Sequence, residues 1–234
     1  MYHPKRYLVD FSNFLRQRFL YEPKDILAMQ QLEPISSDYL PWNPYAIRPS
    51  GLIKILNEIV INQRKSILEC GGGISTIYMA KILRERGGRI HTIEHDLGWI
   101  EILKQLLSSQ NLLDYVSIIS APLQTSPINF QENTSGLWYD LNAIRNALEG
   151  IKIDLLLVDG PPAHSKSIRY ARYPAVPLLK QYLAEDYTIV LDDIGRTGEQ
   201  QIAAKWQQEL EISFQKYPIQ GGVAIASSQK NYVT

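Results

Sequence analysis

Apolar and polar positions along this chain fall into two alternating periods from about residue 50 onward. Residues 50–63 repeat with helical spacing and lead into Ser66-Ile67-Leu68-Glu69-Cys70, a short apolar strand. A glycine turn follows, then a helix from about Ser75 to Arg86, which Gly87-Gly88 stops before the strand Arg89–Glu94. Helix 97–109, strand 115–120, a polar irregular insertion at 121–138 and helix 139–149 come next. The run Ile153-Asp154-Leu155-Leu156-Leu157-Val158 is nearly continuous in its apolar character, as a strand covered on both faces requires. Helix 174–184, strand 187–191 and helix 198–209 complete the alternation, which implies a parallel sheet with helices on both sides.

The two ends depart from that rhythm. At the C-terminus, Glu211–Tyr217 and Val223–Ser228 are strand-like runs separated by Pro218 and Gly221-Gly222. They stand too close for a crossover helix, so they pair antiparallel. The expected architecture is a Rossmann-like, doubly wound α/β sheet of seven strands, mostly parallel, with a C-terminal antiparallel hairpin. At the N-terminus, Phe11, Phe14, Leu15, Arg18 and Phe19 suggest one short amphipathic helix, and Ile26, Leu27 and Met29 a second. The prolines of Tyr39-Leu40-Pro41-Trp42-Asn43-Pro44-Tyr45 forbid regular structure there. Residues 1–49 read as a helical and aromatic cap, and 50–234 as the main domain.

Composition narrows the functional classes. Twenty-four basic and 24 acidic residues cancel, so the electrostatic footprint of a nucleic-acid binder is missing. The single cysteine, Cys70, rules out an intrachain disulfide framework and a cysteine-rich zinc site. No apolar stretch approaches the ~18–20 residues that span a bilayer. The basic start Met1–Arg6 has no apolar signal core behind it, so the cytoplasm is the expected location.

Chemistry concentrates at strand ends. Glu69-Cys70-Gly71-Gly72-Gly73-Ile74-Ser75-Thr76 ends a strand and opens a helix, and glycines there let a ligand approach the backbone closely. A carboxylate beside the bend suits an ammonium group better than a pyrophosphate, which wants a bare helix N-terminus. Thr76 stands where a dinucleotide fingerprint has its third glycine. Both features favour the amino-acid end of S-adenosylmethionine over NAD. Glu94, 21 positions after Gly73, ends the next strand, where a carboxylate can accept from both ribose hydroxyls. Asp96 can cap the helix carrying Trp99.

Ile67–Thr76 followed by Ile93-Glu94-His95-Asp96 and Trp99 resembles the small-molecule branch of class I methyltransferases, akin to the catechol O-methyltransferase group. The similarity runs over about residues 40–230 in order of elements, with sharp motifs in four short windows. It implies that Glu69, Gly71, Gly73 and Ser75, with Thr76 beside them, hold the methionine part, and Glu94 the ribose. Adenine would lie near Ala121 and Pro122; many relatives have a polar or acidic residue where this chain has Ala121.

Val158-Asp159-Gly160-Pro161-Pro162 ends the fourth strand of the alternation, and Leu191-Asp192-Asp193 the fifth. Open α/β sheets place their chemistry at such ends. Asp159 is read as orienting the nucleophile, contacting the cofactor amine or binding a metal, with Asp192 as its catalytic neighbour. In catechol-type enzymes acids or an amide at these positions hold a divalent cation, so the resemblance makes Asp159, Asp192 and Asp193 a Mg²⁺ ligand set. The competing reading pairs Asp192 or Asp193 with Arg172 or Arg196 and binds no metal. His164 is a candidate general base by its ordinary pKa. Arg169–Ala175 resembles an arginine-proline-alanine stretch of the same branch, and Arg172 and Arg196 are candidate clamps for a substrate carboxylate. Trp42 and Tyr45 either close over the ligands or pack the cap onto the sheet.

The sequence thus predicts methylation, at oxygen by resemblance, of a hydroxyl or carboxylate on a small metabolite, natural product or short peptide. Nucleic acid and membrane are not expected partners, while a homodimer or a module of a larger protein stays open. The alternatives are a non-catalytic cofactor-binding or interaction module, an NAD-dependent oxidoreductase and a polyamine-synthase-like transferase.

Overall fold

The computed structural model describes residues 22–36, 39–131, 136–217, 222–229 and 232. The expected helix around Phe11–Phe19 and the turn residues Pro218 and Gly221 lie outside them. Seven helices and nine strands are described: α1 Glu22–Leu32, α2 Pro49–Ile61, β1 Ser66–Cys70, α3 Ile74–Arg86, β2 Arg89–Glu94, α4 Leu97–Ser109, β3 Val116–Ser120, β4 Leu123–Thr125, β5 Leu137–Tyr139, α5 Leu141–Ala147, β6 Ile153–Val158, α6 Ala175–Leu179, β7 Leu183–Leu191, α7 Thr197–Leu210, β8 Gln215–Lys216 and β9 Ala224–Ser227.

The main sheet has seven strands in the order β3-β2-β1-β6-β7-β9-β8. The first five are parallel; β9 runs antiparallel between β7 and β8. The terminal hairpin therefore takes the position its short connection demands, with its second strand inserted beside β7.

Successive residues of the central strands feed two cores. Leu156, Val158, Ile189 and Leu191 pack with Trp138, Ile144, Val176 and Trp206 on the face covered by α5, α6 and α7. Leu155, Leu157 and Val190 pack with Ile55, Ile77, Met79 and Leu103 on the face covered by α2, α3 and α4. Burial on both faces explains why β6 lacks a polar alternation.

Three local expectations need correction. In α1, Ile26, Leu27 and Met29 are 61%, 60% and 40% exposed, while Asp25, Ala28 and Leu32 face inward. Asp25 sets this rotation: it accepts from Arg48 Nη2, from Ser50 N–H at 3.1 Å and from Ser50 Oγ at 2.7 Å. Residues 25, 28 and 32 then share one helical face. The insertion 121–138 contains the antiparallel ribbon β4–β5, so Tyr139 ends a strand instead of opening a helix. Helix 174–184 is cut short: α6 passes into a 3₁₀ turn, Lys180–Tyr182, and β7 begins at Leu183.

Candidate active site

Strand register builds the site. Cys70 stands level with Ile93 and Val158, and Val158 with Leu191. The next residues, Gly71, Glu94, Asp159 and Asp192, therefore emerge side by side at the C-terminal edge of the sheet. Gly71 N–H donates to the Ile93 carbonyl at 2.9 Å, Asp159 N–H to Cys70 at 3.0 Å, and Asp192 N–H to Val158 at 3.1 Å. All four border a cavity of about 1050 Å³. It sits across β1 and β6, where the strand order reverses and open α/β sheets bind ligands.

The glycine bend is shaped from below. Gly71 has φ +89°, and a Cβ on it would stand 3.2 Å from Gly160 N. A Cβ on Gly73 would enter open space, so its bare backbone faces the cavity. Glu69 is fully buried and accepts from Ser75 Oγ at 2.5 Å, Thr76 Oγ1 at 2.5 Å and Thr92 Oγ1 at 2.8 Å. Thr76 Oγ1 in turn accepts from Gly73 N–H at 2.9 Å. Burial pushes the Glu69 carboxyl up to about 7, against the lowering effect of the three hydroxyls. From above, Trp99 Nε1 donates to the Gly72 carbonyl at 2.6 Å, and Asp96 caps α4 by accepting from Trp99 N–H at 3.0 Å.

Glu94 is held rigidly but not saturated. Its Oε1 accepts from His95 N–H at 2.6 Å and Asp96 N–H at 2.8 Å, whereas Oε2 receives one long bond, 3.3 Å, from Gly72 N–H. Oε2 retains lone pairs for a ligand hydroxyl. Tyr139 also borders this half of the cavity.

The opposite half is a charge cluster. Oxygens of Asp159, Asp192 and Asp193 lie within 4.8 Å of one another. Arg172 stands among them, 4% exposed: Nη2 donates to Asp159 O at 2.6 Å and lies 3.1 Å from Asp159 Oδ1, and Nη1 lies 3.1 Å from Asp193 Oδ2. Arg196 Nη1 is 2.8 Å from the same Asp193 oxygen and 3.8 Å from Glu199. Burial pushes Asp159 up to about 6; Arg172 opposes that shift and Asp193 adds to it. Burial, with Asp159 and Asp193 beside it, drives Asp192 well above the ordinary carboxylate range. Both acids of the pair are thus shifted toward their protonated forms.

Residues 68–194 match the profile of a family described as a methyltransferase domain. The chain belongs to that methyltransferase-domain family. Solved structures share its fold across nearly the whole length. An S-adenosylhomocysteine-bound methyltransferase, PaMTH1 from Podospora anserina, aligns with TM-score 0.57 at 15% identity, covering 97% of each chain. The O-methyltransferase TomG from Streptomyces achromogenes, in complex with S-adenosylmethionine, gives 0.55 at 16% identity over 97% of this chain and 98% of its own. An O-methyltransferase from Bacillus cereus, in complex with S-adenosylhomocysteine, gives 0.53 at 16% identity over 92% and 95%. No curated protein matches by sequence.

In this methyltransferase domain, Gly71, Gly73, Ser75, Glu94, Asp159, His164, Asp192, Asp193, Arg172, Arg196 and Tyr45 border one cavity. Four sequence expectations fall outside its wall. Glu69 and Thr76 lie beneath the bend and fix its shape, because the Glu69 oxygens are turned to hydroxyls inside the fold. Ala121 is fully buried in the core, with its N–H bonded to Glu94 O at 2.8 Å. Trp42 packs against Tyr78 of α3, ring centroids 6.3 Å apart. Arg172 borders the cavity, but Asp159, Asp193 and three main-chain oxygens engage its guanidinium, so it cannot clamp a substrate carboxylate. The same contact bears on metal binding. The three acids suit a hard cation chemically, yet a guanidinium already stands between two of them. A cation held by the set would have to use the oxygens that Arg172 does not engage.

Sequence reasoning missed Tyr139, Arg48 and Lys216, all of which border the cavity. Tyr139 had a legible signal: the apolar triplet Leu137-Trp138-Tyr139 directly precedes Asp140, which caps α5 by accepting from Asn142 N–H at 2.9 Å. Arg48 and Lys216 had none, since only the packing of α2 and the terminal hairpin against β7 brings them there.

Proposed function

We propose that this protein transfers a methyl group from S-adenosylmethionine to an oxygen of a small molecule, a hydroxyl or a carboxylate. The observation carrying this reading is the row Gly71–Gly73, Glu94 and Asp159–Asp192 along a single cavity, with an adenosine-type site at one end and a proton-accepting pair at the other. The fold neighbours described above, two of them O-methyltransferases and all three solved with that cofactor or its demethylated product, support it.

The residues fit the cofactor. The bare backbone at Gly73 leaves room for its amino-acid end, Glu94 Oε2 has lone pairs for a ribose hydroxyl, and the acid-rich far side suits its positive charges. When bound, it supplies an electrophilic methyl group. The protein then has to align an acceptor in line and exclude water, and positioning of this kind is worth up to ~7–11 kcal/mol of barrier lowering.

For a hydroxyl acceptor, Asp159 takes the proton as the oxygen is alkylated. Its value of about 6 leaves it mostly ionised at pH 7, and the Asp192 carboxyl stands beside it. Arg172 keeps both acids in place. A carboxylate acceptor needs no base; Arg196 and Lys216, which border the same end, would hold it. His164 is exposed at the mouth, a second basic group for an acceptor proton. We assign the cofactor and acceptor sites to 50–234, with 1–49 as a cap whose loop at Asn43–Arg48 forms one wall.

Incubation with methyl-labelled S-adenosylmethionine and a panel of phenols, alcohols and carboxylic acids, read by mass spectrometry, tests the reaction. Products bearing one labelled methyl on oxygen support it. Labelling on nitrogen or carbon, or none across the panel, counts against it.

A further inference from the structure

Tyr139 is 2% exposed, and among the described residues its hydroxyl has no hydrogen-bond partner. Leaving a buried hydroxyl unpaired costs about 1–3 kcal/mol, and phenylalanine would fill the same space without that penalty. The ring is fixed edge-on by Trp138, centroids 5.0 Å apart, and by His95 at 6.2 Å. The hydroxyl is placed closely as well: a Cβ on Gly160 would come within 2.2 Å of it, and that same Cβ would lie 3.1 Å from Gly71 Cα. The oxygen therefore sits where the glycine bend crosses the loop following Asp159, in the floor of the cavity.

That crossing lies between the two halves of the site. Glu94 on one side and Asp159 on the other are both within electrostatic reach of the phenol. Under the function proposed above, on which this inference rests, Glu94 holds the ribose and Asp159 faces the acceptor. Between the ribose and the methyl that passes to the acceptor stands the cofactor's sulfonium sulfur.

We infer that Tyr139 is a positioning residue whose neutral hydroxyl oxygen faces the sulfonium and the polarised C–H groups around it. Weak C–H···O contacts to a lone pair are real but modest, and a formal positive charge on the partner strengthens them. Burial first, then the negative groups around it, holds the phenol well above its usual pKa. A neutral phenol is a poor nucleophile, so it can stand beside a methyl donor without being methylated.

Titration calorimetry of wild type and Tyr139→Phe with S-adenosylmethionine and with S-adenosylhomocysteine tests this. The two ligands share everything except the charged sulfonium and its methyl. Removing the hydroxyl should weaken S-adenosylmethionine by about five- to tenfold, the net worth of one ordinary hydrogen bond, and leave S-adenosylhomocysteine within about twofold. The thermal midpoint should not fall, because no protein partner is lost. Equal losses for both ligands would place the hydroxyl on the shared adenosine or amino-acid part and overturn the inference, as would unchanged affinity for both. A wild type that binds neither would instead overturn the proposed function, and the inference with it.

Discussion

Arg172 and Asp159 hold one another: Nη2 donates to the Asp159 main-chain oxygen at 2.6 Å and lies 3.1 Å from its carboxylate. This one contact fixes Asp159, positions the loop after β6 and occupies the space beside the three carboxylates. Replacing Arg172 with methionine would strand Asp159 and Asp193 in a buried site. Breaking a buried pair from one side costs about 3–5 kcal/mol, and urea denaturation of Arg172→Met should show a loss of that size. A loss below ~1 kcal/mol, the worth of an exposed pair, would mean the cluster is solvated.

Asp159 as proton acceptor predicts a pH profile. Its pKa is raised to about 6, so the base is inactive when protonated below that value and active above it. For a hydroxyl acceptor, kcat/KM should rise through pH 6 to a plateau. Asp159→Asn should lower kcat by about 10²-fold or more, within the range for a lost general base, and leave cofactor affinity within a few-fold. Normal turnover in that variant would place the reaction centre elsewhere.

Glu69 carries a stability signature. Its folded value, about 7, lies above the ordinary 4.5, so the fold binds its proton more tightly than the unfolded chain does. The stability it contributes is fully present below pH 4.5 and is lost as the pH rises through 7. Glu69→Gln, neutral throughout, should flatten the fall in thermal midpoint between pH 5 and 8. An unchanged slope would show that Glu69 does not titrate there.

The guanidinium between Asp159 and Asp193 predicts insensitivity to chelation. Turnover after dialysis against EDTA should match the untreated enzyme. A loss restored by Mg²⁺ would show that Arg172 moves aside and the acids bind metal.

The main sheet was legible because β6 and its neighbours are buried on both faces, which leaves a run such as Ile153–Val158 with few other readings. The close spacing of the two tail strands likewise forced their antiparallel pairing. What sequence could not give was the direction of side chains. Glu69 reads as a ligand contact until the hydroxyls of Ser75, Thr76 and Thr92 are seen to enclose it. Arg172 reads as a substrate clamp until the strand ends place Asp159 and Asp193 on either side of it. In α1, the tie between Asp25 and Arg48, 23 positions apart, outweighed the apolar pattern of Ile26, Leu27 and Met29.

The central claim is that the glycine bend and Glu94 grip an adenosyl sulfonium cofactor, and titration calorimetry on wild type and Glu94→Ala tests it most directly. Wild type should bind S-adenosylmethionine at one site and give no heat with NAD, and Glu94→Ala should bind about tenfold or more weakly, as loss of charge-assisted ribose bonds requires. Binding of NAD instead, or undiminished affinity in the variant, would contradict the account.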